Sequence, residues 1–423
     1  MPIWFGVTIS VYFAPASIVG VLVLLSLAPL RIGLLGRADL LLMMFFLACL
    51  APIVSGGATL TAIFVVVSQW VVAFLLGRLM PARVGSTWIY SCVAVVFTIV
   101  AGLALIEFFG HWNPFVDIGP ANALHATWGV LQERGGLLRA EGAFGHSIAL
   151  GSSVALAIPL TLASGFRPLV RILLVVLMLG ATVVTISRVS IIDAAIALLL
   201  AVIFLSRGLA RSVRVGGFMV LLAASAAATP FIVAVLAKAG GEAINSAGYR
   251  SNLTDLIPYI SPLGFSSVAT RSASGELYFG RFQSIDSQLI LTGLTYGWPA
   301  LICGVLLLVG AVLATLRRTA NPATLAIAAQ IPALASVALI TQYSMFFWFV
   351  VGLAAARTVD HVGEKPAREQ GRGFLPSPHA ITRGVVHSGP PTAVAVRPPV
   401  APKPTIDTRR TTDALSSGQR SVF

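Results

Sequence analysis

"TWIYSCVAVVFTIVAGLALIEF", residues 87–108, runs for 22 residues with one charged side chain, Glu107, near its end. At about 1.5 Å per residue a helix of this length covers about 33 Å, enough to cross a hydrocarbon core of about 30 Å. Similar apolar runs fall at 8–30, 39–55, 59–77, 143–164, 168–185, 190–206, 216–237, 287–316, 322–341 and 343–356. Together they make eleven spans. The first run contains Pro15, and read as a broken hairpin it raises the count to twelve. The 287–316 run would be about 45 Å long as one helix, so it is expected to start outside the hydrocarbon and bend near Pro299.

Composition agrees with this reading. The 423 residues are 57% hydrophobic and 10% charged, with a mean hydropathy of +0.92. Soluble domains are about 45–50% apolar and about 25% charged. The expected fold is all-α, a polytopic transmembrane helical bundle. The N-terminus lacks a basic region, and its apolar stretch is too long for a cleavable signal. Cys49, Cys92 and Cys303 lie in apolar runs without CxxC spacing, so they are read as packing residues, forming neither a disulfide framework nor a metal site.

Charge sets the expected orientation. A net charge of +13 invites a nucleic-acid reading, but basic residues collect in the cytoplasmic loops of membrane proteins. The loops with Arg31 and Arg37, Arg78 and Arg83, Arg167 and Arg171, Arg207, Arg211 and Arg214, and Arg317 and Arg318 alternate with the others. All five then fall on one side, together with the basic C-terminal tail. No nucleic-acid partner is expected, and the chain is read as a multi-pass protein of the cytoplasmic (inner or plasma) membrane. Residues 1–356 form the membrane domain, with two long outer loops at about 109–142 and 238–286. Residues 357–423 hold nine of the 24 prolines and ten Lys/Arg against five Asp/Glu. They are read as a disordered cytoplasmic tail.

Arginines on the outer side are then informative. Arg134, Arg139, Arg188, Arg250, Arg271 and Arg281 all fall there. Guanidinium groups bind phosphate in a bidentate geometry and keep their charge, so a convergent set suits a pyrophosphate headgroup. Arg188 lies in a very short turn between spans, where the alternative is a side chain snorkelling from a helix end. Arg139, Glu141 and His146 crowd together in "LLRAEGAFGHSIALG", residues 137–151. Ordinary loop polarity is the alternative for each of them alone. In the second loop Tyr249, Leu253, Leu256, Ile257 and Ile260 recur at helical spacing, which predicts an amphipathic helix on the outer surface. Asp286 stands just before the chain re-enters the membrane. It is either a general base or orienting group for an acceptor hydroxyl, or a helix N-cap.

Taken together these segments resemble the O-antigen ligase and O-antigen polymerase-like proteins. Arg139-x-x-Gly142-x-Phe144-x-His146 is similar to that family's Arg-x-x-Gly-x-Phe-x-His/Asn segment, and "TISRVS", residues 185–190, to its short Ser-Arg turn. "YRSNLTDLIPYISPLGFSS", residues 249–267, resembles its large outer loop, and "DSQLILTGLTYG", residues 286–297, its element of a polar pair, nine residues and a glycine. The ligases' histidine is Asp286 here, their second glycine is Ala300, and their Pro-Asn is Ser147-Ile148. Ligase and polymerase both stay open.

The resemblance implies a metal-independent and cofactor-free glycosyltransferase. Its donor would be an undecaprenyl-pyrophosphate-linked glycan in the outer leaflet, and its acceptor a sugar hydroxyl on a second glycan or glycolipid. Arg188 and Arg250 would hold the leaving pyrophosphate, with Arg139 and Arg281 as further candidates. Asp286 would activate or orient the acceptor hydroxyl, with Glu141 and His146 as rivals for that proton. Two other readings stand beside it: a multi-pass transporter or flippase, for which intramembrane Asp193 speaks, and a cell-wall polymerase of the shape–elongation–division type.

Overall fold

A computed structural model of the chain describes residues 2–8, 12–27, 36–54, 57, 59–205, 215–220, 222–223, 226, 229–230, 248–249, 251–271 and 277–363. Arg250, the loop arginines Arg31, Arg207, Arg211 and Arg214, most of the 216–237 run and the tail from residue 364 lie outside them.

The described chain is mostly helical. Its main helices are α1 (Pro15–Ser26), α2 (Arg37–Leu50), α3 (Leu60–Val84), α4 (Ser86–Gly110), α5 (Ser147–Leu162), α6 (Pro168–Val184), α7 (Arg188–Phe204), α8 (Gln288–Tyr296), α9 (Trp298–Leu316), α10 (Pro322–Ala329), α11 (Ile331–Ser336) and α12 (Thr341–Gly363). Among the described residues α3, α4 and α9 are long and apolar enough to cross a membrane.

Local chemistry sets the helix boundaries. Ser187 Oγ caps α7 by accepting from Ser190 N at 3.3 Å, Ser287 Oγ caps α8 through Ile290 N at 3.3 Å, and Asn321 Oδ1 caps α10 through Thr324 N at 2.8 Å. These satisfy donors that a helix start leaves open. The long 287–316 run is broken at Gly297 (φ 92°) and not at Pro299, which occupies the first turn of α9. A Cβ at Gly297 would lie 2.8 Å from Leu263 Cα and 2.9 Å from Ser261 O, so only glycine lets the Ser261–Leu263 segment approach this break. The N-terminal run holds a single helix, α1, preceded by a short hairpin (β1, Val7–Thr8; β2, Tyr12–Phe13). At the other end, α12 continues through residues 357–363, which the sequence assigns to the tail.

The core is centred on α5. Every residue of this helix except Ile148 is buried, as expected of a helix that is apolar all round. It packs against α4, α6, α7, α10 and α12. The closest crossing is between α3 and α12, where added Cβ atoms would meet Phe349 O at 2.0 Å from Gly77 and Phe74 O at 2.2 Å from Gly352. Small residues at such a crossing let two backbones touch.

Hydrogen bonds tie the two ends of the bundle separately. At one end Arg78 forks onto Asp39 (2.9 and 3.3 Å), Arg83 donates to Leu27 O, and Asn321 donates to Ala354 O. At the other, Phe265 N donates to Gly57 O, Gly264 N to Tyr296 O and Gln288 N to Val337 O. The predicted surface helix is a 3-10 helix, Leu253–Tyr259. Its three-residue repeat turns Leu253 and Leu256 inward, and with Ile260 just past its end they pack onto Phe279, Phe282, Ile285 and Leu294. That apolar side is therefore covered by the chain itself and does not lie on an outer surface.

Candidate functional site

Arg139, Glu141 and His146 meet where the 109–142 loop enters α5. A two-residue hairpin (β3, Glu133–Arg134; β4, Leu137–Leu138) brings Gln132 back beside Arg139. Gln132 O accepts from Arg139 N at 2.9 Å, and Gln132 Oε1 accepts from Arg139 Nη1 at 3.0 Å. Arg139 Nε donates to Thr185 O at 3.0 Å, and Arg134 Nη1 donates to Ile186 O at 3.2 Å. Both arginines thus grip the turn between α6 and α7. Ile186 in that turn has φ 51°, a strained conformation for a β-branched residue, and the two guanidinium groups hold the carbonyls on either side of it. Two residues further on, Arg188 is exposed, with no hydrogen bond or ion pair among the described residues. Two arginines of the 109–142 loop thus bond the short turn from whose end the exposed Arg188 projects.

The electrostatics follow from burial. Arg139 is 6% exposed, and Nη2 has no partner. Burial first, then the neighbouring Arg134 charge, lower its pKa to about 10, with Glu141 opposing, so it stays cationic at neutral pH. Burial raises the Glu141 carboxyl to about 7. The hydrogen bond from Gln132 N (3.1 Å) and the Arg139 charge pull it down, while Glu107 pushes it up. His146 is half-buried, immediately precedes α5, and its Nδ1 has no partner.

Glu107 is the residue that sequence reasoning missed. Its Oε2 accepts from Glu141 N (3.1 Å) and Gly142 N (2.6 Å), and its Oε1 from Asn113 Nδ2 (2.9 Å). It clamps the segment that carries Glu141. The available signal was a lone acid within an apolar span, a functional pointer by default. Nothing in the sequence singles out Gln132.

Asp286 belongs to a second cluster. Ser284 Oγ donates to Asp286 Oδ1 at 3.1 Å, and Tyr249 OH donates to Ser284 O. Burial and the Asp286 charge raise the Tyr249 pKa, and the bond to Ser284 O opposes them. Ser287, not Asp286, is the N-cap of α8, so the carboxylate is free of the capping role that its position suggested. Arg281 is largely exposed, 3.9 Å from Asp255 and over the Phe282 ring at 5.1 Å. Exposed pairs of this kind contribute little. No contact joins Asp286 or Arg281 to Arg139 or Arg188 among the described residues. The two clusters share a framework: Gln288 N bonds Val337 O just beyond α11, and α11 packs against α7 and α8.

Deeper in the bundle Asp193 is fully buried on α7. Its Oδ2 accepts from Ser152 Oγ at 3.1 Å, and the backbone of Ala333 also donates to its carboxylate. The break between α10 and α11 falls at Gln330, whose Oε1 accepts from Tyr343 OH at 2.7 Å. Among the described residues no group of three or more His, Cys, Asp or Glu is arranged to hold a metal ion. No protein-family model, curated protein or solved structure matches the chain.

Proposed function

We propose that this protein is a polytopic membrane glycan transferase of the O-antigen ligase or polymerase type. It moves a glycan from an undecaprenyl-type pyrophosphate carrier to a sugar hydroxyl at the outer face of the cytoplasmic membrane. The observation that carries this reading is the Thr185–Arg188 turn, bonded by Arg134 and Arg139 and ending in the exposed Arg188. A cationic cluster with an unpaired guanidinium nitrogen is suited to a dianionic leaving group whose charge grows in the transition state. Asp286, freed from capping, activates or orients the acceptor, and Glu141 and His146 remain its rivals.

The membrane topology is part of the proposal. The apolar runs supply eleven spans with the N-terminus outside. The end with Arg78, Arg83, Arg317 and the α12 C-terminus is cytoplasmic by its basic residues. The two folded loops and the arginine turn share the opposite end. The test is transfer by purified protein in nanodiscs from lipid-linked donor to acceptor, together with reporter fusions at Gly119 and Pro168. An inside signal at Gly119 would remove the site from its substrates. In cells, a deletion that accumulates single repeat units on the carrier marks a polymerase, and one that leaves long polymer on the carrier marks a ligase.

Transport is the second reading, and one observation favours it: the buried Asp193 beside the helix break at Gln330. Transporters build midplane sites on discontinuous helices. Asp193→Asn that abolishes movement of a lipid-linked substrate, in a protein without transferase activity, would replace the first reading with this one.

A further inference from the structure

A cavity of about 600 Å³ lies between α2, α9, α10 and α12. Its walls are almost wholly apolar, and α9 lines it from Leu301 to Arg317. Those 16 steps are about 24 Å at 1.5 Å per residue. Gln288 and Thr292, near the outer end of the proposed topology, are neutral. The charged groups that line the cavity are Arg37, the first residue of α2, and Arg317, the C-cap of α9, both exposed and both at the basic, cytoplasmic end. Neither takes part in an ion pair among the described residues. The nearest acid in sequence to Arg37, Asp39, is held by Arg78 at 2.9 Å and does not neutralise it.

We infer that this cavity binds one anionic glycerophospholipid of the cytoplasmic leaflet, with an acyl chain along α9 and the phosphate between Arg37 and Arg317. The inference rests on the membrane-embedded part of the proposed function and not on glycan transfer. Charge selects the headgroup and its leaflet: a lipid entering from the outer end would bring its phosphate to neutral Gln288 and Thr292. Volume selects the tail. At roughly 30 Å³ for a water-sized group, a methylene being similar in size, 600 Å³ holds on the order of 20 such groups. That is about one fatty acyl chain; a long polyprenyl chain would leave most of its length outside the half-open cavity. Basic side chains at a membrane surface attract anionic lipid, and the apolar walls supply the burial that makes the site selective for a chain over water.

The test uses the full-length protein, purified and delipidated, with native mass spectrometry reading bound lipid during titration with phosphatidylglycerol, phosphatidylcholine or undecaprenyl phosphate. The expected result is one phosphatidylglycerol per chain, bound at least tenfold more tightly than phosphatidylcholine. Arg37→Ala combined with Arg317→Ala should weaken phosphatidylglycerol about 30-fold, as expected for two basic side chains, and leave phosphatidylcholine within twofold. Gly310 lines the cavity, and a Cβ there meets nothing within 4 Å. Gly310→Leu should therefore fill the space without a clash and weaken both phospholipids. Equal binding of the two phospholipids to the unaltered protein would overturn the inference. So would displacement of phosphatidylglycerol by an equal concentration of undecaprenyl phosphate, or unchanged phosphatidylglycerol binding in both variants at unchanged melting temperature. Because no glycan enters the assay, loss of the transferase reading would leave these outcomes as they stand.

Discussion

Arg188 offers the cleanest separation of function from stability. Its side chain is exposed, so Arg188→Ala removes no hydrogen bond or ion pair among the described residues. Surface changes of that kind stay within about 0.5 kcal/mol. Arg139 is the opposite case. It is 6% exposed and donates to Thr185 O and Gln132 Oε1; Gln132 Oε1 also accepts from Ser147 Oγ at 3.4 Å, so Arg139→Ala strips this donor from the buried Thr185 O, at about 1–3 kcal/mol. Suppose both guanidinium groups contact a pyrophosphate that shields them from water. Losing one charge-assisted contact then costs on the order of 2–5 kcal/mol in the transfer step, or roughly 30- to several-thousand-fold in rate. Arg188→Ala should therefore melt like the unaltered protein and lose most of its activity, whereas Arg139→Ala should lose both. Arg188→Lys keeps the charge without the planar fork and should fall between. The assay is transfer from lipid-linked donor by purified variants in nanodiscs, paired with thermal melting. Activity of Arg188→Ala within twofold of the unaltered protein would refute a pyrophosphate site at this turn.

Asp286→Asn should abolish transfer while leaving the melting temperature unchanged, because Ser287 and not Asp286 caps α8; normal activity would move the search for the proton acceptor to Glu141 and His146. Glu107→Leu strips partners from Glu141 N, Gly142 N and Asn113 Nδ2 and should destabilise the protein by about 3 kcal/mol or more; a denaturation midpoint equal to that of the unaltered protein would show that the clamp contributes nothing. Burial holds the Glu141 carboxyl at about 7 against an ordinary 4.5. Between those values the folded chain keeps a proton that the unfolded chain has lost, so stability falls as pH rises from about 4.5 to 7. The fall is on the order of 3 kcal/mol and should vanish in Glu141→Gln; stability curves at pH 5 and pH 8 that superimpose for both proteins would contradict it.

The helices were the legible part of this sequence, because apolar runs of helical length are a signal that no single residue can spoil. The run at 87–108 became α4, and those at 168–185 and 190–206 became α6 and α7, within a few residues. Breaks were harder to read. Pro299 drew the bend because proline is a known breaker, yet proline in a first helical turn is harmless. The chain turns instead at Gly297, where backbone from the distant Ser261–Leu263 segment comes within 3 Å of a would-be Cβ. That cause is tertiary and has no local trace. The second loop failed in a related way. Leu253, Leu256 and Ile260 are spaced as in an α-helix, yet the helix is 3-10 and ends before Ile260, and what covers them, Phe279 and Phe282, lies some twenty residues downstream.

The candidate site shows why charge is easy to find and hard to assign. Arg139 and Arg188 both read as outward arginines, with Arg188 ranked first, since a sequence displays the charge and not the carbonyl opposite it. Thr185 and Ile186 decide the difference: their backbone oxygens take up Arg139 and Arg134, and backbone acceptors are the same in every residue. The pair thereby brace a turn that Ile186, at φ 51°, would not hold unaided. The brace fixes the backbone from which Arg188 projects. Under the proposed function Arg188 would meet the phosphate, and Arg134 and Arg139 would serve it through the turn, because donors arranged in advance cost less reorganisation when charge develops. Substitutions at Arg134 or Arg139 should then lower activity through the turn even if neither side chain touches a substrate.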